Sequence, residues 1–307
     1  MKFRTALAAA ASLLALSTIL AGCSSSAAAD PKGRIVAVGA ENQYTSVISQ
    51  IGGKYVAASS VMSNPNTDPH TFEASAQIAG TISSAGLIVQ NGLGYDSFMS
   101  KIEAASPSDG RVVITAQKVL GLPDSAPNPH LWYDPKTMPA VAKSIAAALT
   151  TLQPSHKAYF AANLAKFDAS MSGVTDAIAA FKAAHPDVAV ATTEPVADYM
   201  LEAAGADNKT PWALQAAIMN DTDPAPQDVA VQESLFTGKQ VKVFLYNQQV
   251  TDAITSNYLK LAKANGIPVV GVYETMPTDG FTYQTWMKAE LAALTKAVES
   301  GTSTAKL

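Results

Sequence analysis

Two histidines and two glutamates stand in segments where a metal ion could be held. His70 lies in NPNTDPHTFEAS and His130 in APNPHLWYDP, each beside prolines that stiffen the backbone aiming the ring. Glu194 lies in VAVATTEPVADY and Glu274 in PVVGVYETMPTDG. Neutral imidazoles and carboxylates together make a mixed nitrogen and oxygen donor set. Such a set is softer than the all-oxygen cages of calcium and magnesium and suits manganese, zinc or ferrous iron. Cys23 is the only cysteine, so metal cannot be held by a thiolate cluster, and no disulfide can form within the chain.

Taken singly, a loop histidine or glutamate is more often just solvated. These four are set apart by the elements that precede them. Apolar β-like runs occur at 35–38, 56–61, 87–90 and 112–115, and again at 188–192, 213–218, 241–246 and 269–273. Helix-like stretches separate them, including 75–84, 137–152, 228–237, 251–265 and 282–299. Short apolar strands alternating with helices predict parallel sheets built of βαβ units. In open α/β sheets ligands bind beyond the carboxyl ends of the strands. His70 follows the second run, His130 the fourth, Glu194 the fifth and Glu274 the last. Two imidazoles from one half and two carboxylates from the other are thus expected to meet in a cleft. His156 and His185 have no strand end beside them, and a helix C-terminal dipole accounts for His185.

The two halves are joined by 155–184, SHKAYFAANLAKFDASMSGVTDAIAAFKAA. Phe160, Leu164, Phe167, Met171, Val174, Ile178 and Phe181 recur at alternating steps of four and three, which places them on one helical stripe. Pro154 precedes the run, Ser155 is placed to cap its first turn, and Pro186 closes it. At 1.5 Å per residue the helix is roughly 45 Å long, about the length of a domain. A coiled coil would want charges flanking the seam, and here the neighbours are mostly Ala and Ser. The expected fold is therefore α/β: two four-stranded parallel-sheet lobes joined by one long rigid spine helix. The expected segments are an N-terminal lobe over 34–154, the spine over 155–185 and a C-terminal lobe over 186–307.

The N-terminus, MKFRTALAAAASLLALSTILAGC, has two positive charges, an apolar run and small residues, the pattern of an export signal over 1–22 rather than a membrane span. Leu20-Ala21-Gly22-Cys23 resembles a bacterial lipobox, which implies cleavage and lipidation of Cys23, with 23–33 as a flexible tether. The chain carries 21 Lys and Arg against 25 Asp and Glu, and loss of the leader's Lys2 and Arg4 makes it more acidic still. With no basic patch, nucleic acid is excluded as a partner.

DPHTFEAS, IGGKYV, NGLGYDSF and NPHLWYDP together resemble the metal-specific solute-binding lipoproteins of ABC importers, the zinc and manganese family labelled cluster A-I or cluster 9. The resemblance covers nearly the whole mature chain. It implies that His70 and His130 ligate the metal, and that Glu194, five residues before Tyr199, is the third ligand. The fourth ligand in that family is usually Asp. Glu274 stands at the matching place, with Asp279 the other acid of that loop. The resemblance also implies a monomer anchored outside the cytoplasm through Cys23, handing its ion to a membrane permease, with no catalytic cofactor. An adhesin role comes only by family association.

Carboxylates favour manganese over an imidazole-only set, and no His-rich acidic loop is present, so the sequence favours Mn2+ with Zn2+ next. Asp68 and Asp134 are the nearest carboxylates in sequence to orient the rings, or else cap turns beside their prolines. Two other readings remain. An extracellular zinc hydrolase could use two His and a Glu, although no H-E-x-x-H pairing is present. A vitamin or siderophore receptor shares the spine architecture and would need aromatic cleft residues, for which Trp132 and Tyr133 are the candidates.

Overall fold

The computed structural model describes residues 30, 32–66, 72–277 and 280–307. Among the described residues, eight strands and eleven α-helices follow in chain order. They are β1 (Ile35–Glu41), α1 (Asn42–Gly52), β2 (Val56–Met62), α2 (Ala76–Ser83), β3 (Leu87–Gln90), α3 (Ser97–Ala105), β4 (Val112–Thr115), α4 (Ala116–Val119), α5 (Thr137–Leu152) and α6 (Lys157–Ala184). The second half continues with β5 (Ala189–Thr192), α7 (Asp198–Ala203), β6 (Asp207–Asn208), α8 (Trp212–Met219), α9 (Pro226–Thr237), β7 (Val243–Asn247), α10 (Ala253–Ala264), β8 (Val269–Val272) and α11 (Tyr283–Ser300).

The strands form two four-stranded sheets of orders β2-β1-β3-β4 and β6-β5-β7-β8, parallel throughout. Both orders reverse direction once, between β1 and β3 and between β5 and β7, and these switch points are where α/β sheets open a crevice. Side chains alternate between the faces of each sheet. Ala37, Leu87 and Val89 face one large core, whereas Val38 and Ile88 join a smaller cluster with Ile82 and Met99. In the second sheet Val190, Val243 and Leu245 face the large core, and Ala191, Phe244 and Tyr246 face a cluster with Leu235 and Tyr258. The large core thus runs through both lobes.

The spine α6 crosses that core. Phe160, Phe167, Met171, Val174, Ile178 and Phe181 are buried and Leu164 is half-buried, so the expected stripe is the face that packs. Each fully buried side chain of this kind contributes about 1.5–3 kcal/mol relative to exposure. Its start differs from expectation. Residues Pro154–His156 form a 3-10 turn, and α6 begins at Lys157 with no side-chain cap. Ser155 does not cap the helix; the His156 amide bonds the Gln153 carbonyl at 3.0 Å, and its ring stacks on Tyr55 at 3.6 Å.

A second correction concerns 213–218. This run is not a strand but the middle of α8, and the fourth strand of the second sheet is the two-residue β6. Ala, Leu, Gln and Met are strong helix formers, and Pro211 just before them suits a helix start. A short apolar run does not distinguish a buried strand from a buried helix by period alone.

Candidate metal centre

The central strand of the second sheet organises the carboxylates. β7 lies between β5 and β8, with Thr192 opposite Leu245 and Asn247 opposite Val272. Glu194 leaves the sheet two residues beyond β5 and Glu274 two beyond β8, so both flank the end of β7 at Asn247. Asn247 Nδ2 donates to Glu194 Oε1 at 2.9 Å and to Glu274 Oε1 at 2.7 Å. The Glu274 backbone is pinned as well. Its N–H donates to Gln249 Oε1 at 2.7 Å, and its carbonyl accepts from Gln43 Nε2 of the other lobe at 3.0 Å. Glu274 is 0% exposed and Glu194 2%.

His130 is presented by the first lobe, fully buried, at the start of a 3-10 turn over Leu131–Tyr133. Its loop is held from beneath: Asn91 Nδ2 donates to the Pro129 carbonyl at 2.7 Å, and Tyr44 donates to Asn91 Oδ1 at 2.7 Å. Asn128 fixes the ring. Its Oδ1 accepts from the His130 backbone N–H at 3.0 Å and lies 2.8 Å from Nδ1, while its Nδ2 donates to the Pro195 carbonyl at 2.8 Å. An amide oxygen can only accept, so Nδ1 carries a proton and Nε2 is the nitrogen turned away from Asn128. Nε2 faces Glu274 Oε2, 3.3 Å away. Tetrahedral bonds of about 2.0–2.1 Å put neighbouring donors about 3.3 Å apart.

The surroundings are acidic and buried. Burial, reinforced by the charge of Asp96, pushes the Glu41 carboxyl at the end of β1 well above its ordinary range. Burial also raises Asp96 to about 6, although the Gly92 and Asn91 amides donate to it. Tyr95, whose phenol is pushed up first by burial and then by Glu274, donates across the lobes to Glu274 Oε2 at 2.8 Å. Tyr95 also lines a cavity of about 610 Å³ together with Leu93, Phe98, Pro129 and, from the second lobe, Met219. It stands between that cavity and the buried Glu274 carboxylate.

Three of the four expected ligands can be placed. His130 and Glu274 are in contact, and Glu194 is tied to Glu274 through Asn247. His70, Asp68, Asp279 and Cys23 lie outside the described residues. Among the described residues no three such side chains close a cage on their own. Asp134 is a turn residue, its Oδ1 accepting from the Lys136 amide at 2.9 Å. Trp132 and Tyr133 are buried in the core rather than lining a cleft. Of the other histidines, His156 stacks on Tyr55, and His185 lies 3.4 Å from Glu299.

Residue-type reasoning missed Asn247, Asn128, Tyr95 and Gln249. Asn128 and Tyr95 sit inside the NPH and NGLGY motifs. Asn247 lies at a strand end like the candidate ligands, but an amide side chain does not by its type signal metal binding.

The fold has close counterparts. The periplasmic zinc binding protein TroA of Treponema pallidum superposes with a TM-score of 0.74 at 16% identity, over 87% of this chain and 99% of that one. The solute-binding protein FpvC of Pseudomonas aeruginosa, solved with Mn2+, gives 0.71 at 20% identity over 87% and 99%. A putative metal-binding protein of Thermotoga maritima is 31% identical over 94 residues, and the chain spans 33% of that relative's length. The sequence model of the periplasmic zinc-uptake complex component A, ZnuA, matches residues 38–297. The chain belongs to the ZnuA family of periplasmic zinc-uptake components.

Proposed function

We propose that this chain captures a divalent transition metal ion outside the cytoplasm and delivers it to an ABC import permease, without catalysing a reaction. The carrying observation is the pair His130 Nε2 and Glu274 Oε2. An imidazole nitrogen and a carboxylate oxygen lie 3.3 Å apart in a buried site, the spacing that two donors to one tetrahedral ion would have. His130 comes from one lobe and Glu274 from the other, so an ion shared by them also ties the lobes together. His70, His130, Glu194 and Glu274 are the proposed ligand set. With four protein donors no position is left open for an attacking water, which weighs against a hydrolase. The burial of Trp132 and Tyr133 weighs against an organic ligand.

Relatives in this fold are described with different ions: zinc for TroA, manganese and nickel for FpvC, and cadmium for a protein of Candidatus Liberibacter asiaticus. The carboxylates favour manganese as the cargo, while the intrinsic affinity order makes zinc the tighter ion in vitro. We further propose that residues 1–22 are a signal removed on export, that lipidated Cys23 and the tether to residue 33 hold the protein at the membrane, and that it acts as a monomer of two lobes, 34–154 and 186–307. No described helix is long and apolar enough to cross a membrane.

A metal that binds only the folded state stabilises it by about 4 kcal/mol at a thousand times Kd. Thermal unfolding of metal-free protein with and without Mn2+, Zn2+ and Fe2+ tests the reading. A melting temperature raised by at least one of them is expected, and an unchanged one with all three would refute it.

A further inference from the structure

Asn247 is fully buried at the switch point of the second sheet, and its side-chain amide and backbone N–H are all committed. Its N–H donates to Thr193 Oγ1 at 3.0 Å, and its Oδ1 accepts from the Gln249 amide at 3.0 Å. The second of these bonds fixes which way the amide points. Turning it over would set Nδ2 against the Gln249 N–H and Oδ1 against two carboxylates. The amide therefore presents its two N–H groups to Glu194 Oε1 and Glu274 Oε1, at 2.9 and 2.7 Å.

One donor group thus satisfies one oxygen of each carboxylate and eases the repulsion between them. The oxygens it does not hold are Oε2 of both residues; Oε2 of Glu274 faces His130 at 3.3 Å and also accepts from the Tyr95 hydroxyl at 2.8 Å. For either carboxylate to grip an ion with both oxygens, its bond to Asn247 would have to break. Zinc is satisfied by four donors, one from each ligand residue. Manganese favours six donors and oxygen-rich sets, and in a closed protein site it gains most from two-oxygen carboxylates.

Resting on the metal-receptor reading above, we propose that Asn247 is a specificity-determining positioning residue. It restricts Glu194 and Glu274 to one metal-facing oxygen each and so handicaps six-coordinate ions relative to four-coordinate ones. The carboxylates draw manganese to the site, and Asn247 limits how fully they can bind it.

Competition titrations of Zn2+ and Mn2+ on the wild type and on Asn247→Ala test this. Removing an outer partner of metal ligands typically costs 10–100-fold in affinity. Zinc is expected to weaken by that order and manganese by less, so that the zinc-to-manganese affinity ratio falls roughly tenfold. Equal weakening of both ions would show Asn247 to be merely structural and would overturn the proposal. Should the variant fail to fold, X-ray absorption of the zinc-loaded wild type decides. Four nitrogen and oxygen donors near 2.0–2.1 Å are expected, and a shell enlarged by two-oxygen carboxylates would overturn the proposal. A wild type that binds neither ion refutes the metal reading itself; a wild type that binds with an unchanged ratio in the variant refutes only the role of Asn247.

Discussion

Asn128→Ala should damage stability and metal binding together, because one side chain supports a ligand from each lobe. The substitution removes the acceptor for the His130 backbone N–H at 3.0 Å and for its Nδ1–H at 2.8 Å, and the donor to the Pro195 carbonyl at 2.8 Å. Each buried group left without a partner costs about 1–3 kcal/mol. Water entering the vacated space would recover part of this, so a loss of about 3 kcal/mol is expected. With the ring no longer held in its Nδ1–H form, metal affinity should fall by about 10–100-fold. Asn128→Asp keeps the acceptor and strengthens its pull on the Nδ1 proton, so it should retain more affinity than the alanine variant despite losing the bond to Pro195. Urea unfolding of the metal-free protein and competition titration measure the two effects. An alanine variant within about 0.5 kcal/mol of wild type, the usual range for inconsequential substitutions, and with unchanged affinity, would refute the assignment of Asn128 as the orienting partner.

Glu194→Ala should weaken both zinc and manganese, whereas Glu194→His should lose manganese and keep zinc, since imidazole suits zinc and carboxylate suits manganese; an unchanged preference in competition titrations would remove Glu194 from the selectivity argument. Metal affinity should fall with acid, because ligating imidazoles must be neutral and free imidazole titrates near about 6.5; titrations giving the same affinity from pH 8 to about pH 5 would exclude His130 as a ligand. Burial raises the Glu290 carboxyl to about 8, against partial compensation from Tyr133 and Trp286. The unfolded chain ionises this group near pH 4.5 while the folded protein keeps it protonated, so its contribution to stability is full below pH 4.5 and is lost as pH rises toward 8. Asp96 and Asp198, each raised to about 6, act in the same direction. Metal-free Glu290→Gln should show a flatter decline between pH 5 and 8 in urea unfolding, and a slope identical to wild type would show that Glu290 is ionised throughout.

The spine and the parallel strands were legible because each rests on a periodicity that burial enforces. The stripe from Phe160 to Phe181 is one face of a helix crossing the core, and strands such as Leu87–Gln90 are apolar on both faces because helices cover both. The run at 213–218 is helical rather than a strand because, within six residues, apolar content gives no period and propensity decides. The proposed titratable ligands stand out by type and by position after strand ends. Their supporting amides do not, because Asn128 and Asn247 are identified only by the partners they reach: Asn128 bonds Pro195 and Asn247 bonds Glu194, both far away in sequence. Tyr95 was similarly opaque, since its bond to Glu274 spans 179 positions. Which oxygen of a carboxylate faces the ion is a property of packed geometry that no motif encodes.

The central claim, that His130 and Glu274 share one ion across the two lobes, is tested most directly by equilibrium dialysis against Zn2+ and Mn2+ with elemental analysis of the retained protein. Wild type, His130→Ala and Glu274→Ala should be compared after each variant is shown to fold by circular dichroism. One ion per wild-type chain is expected, with binding lost or weakened by orders of magnitude in both variants. Undiminished stoichiometry and affinity in the folded His130→Ala and Glu274→Ala proteins would contradict it.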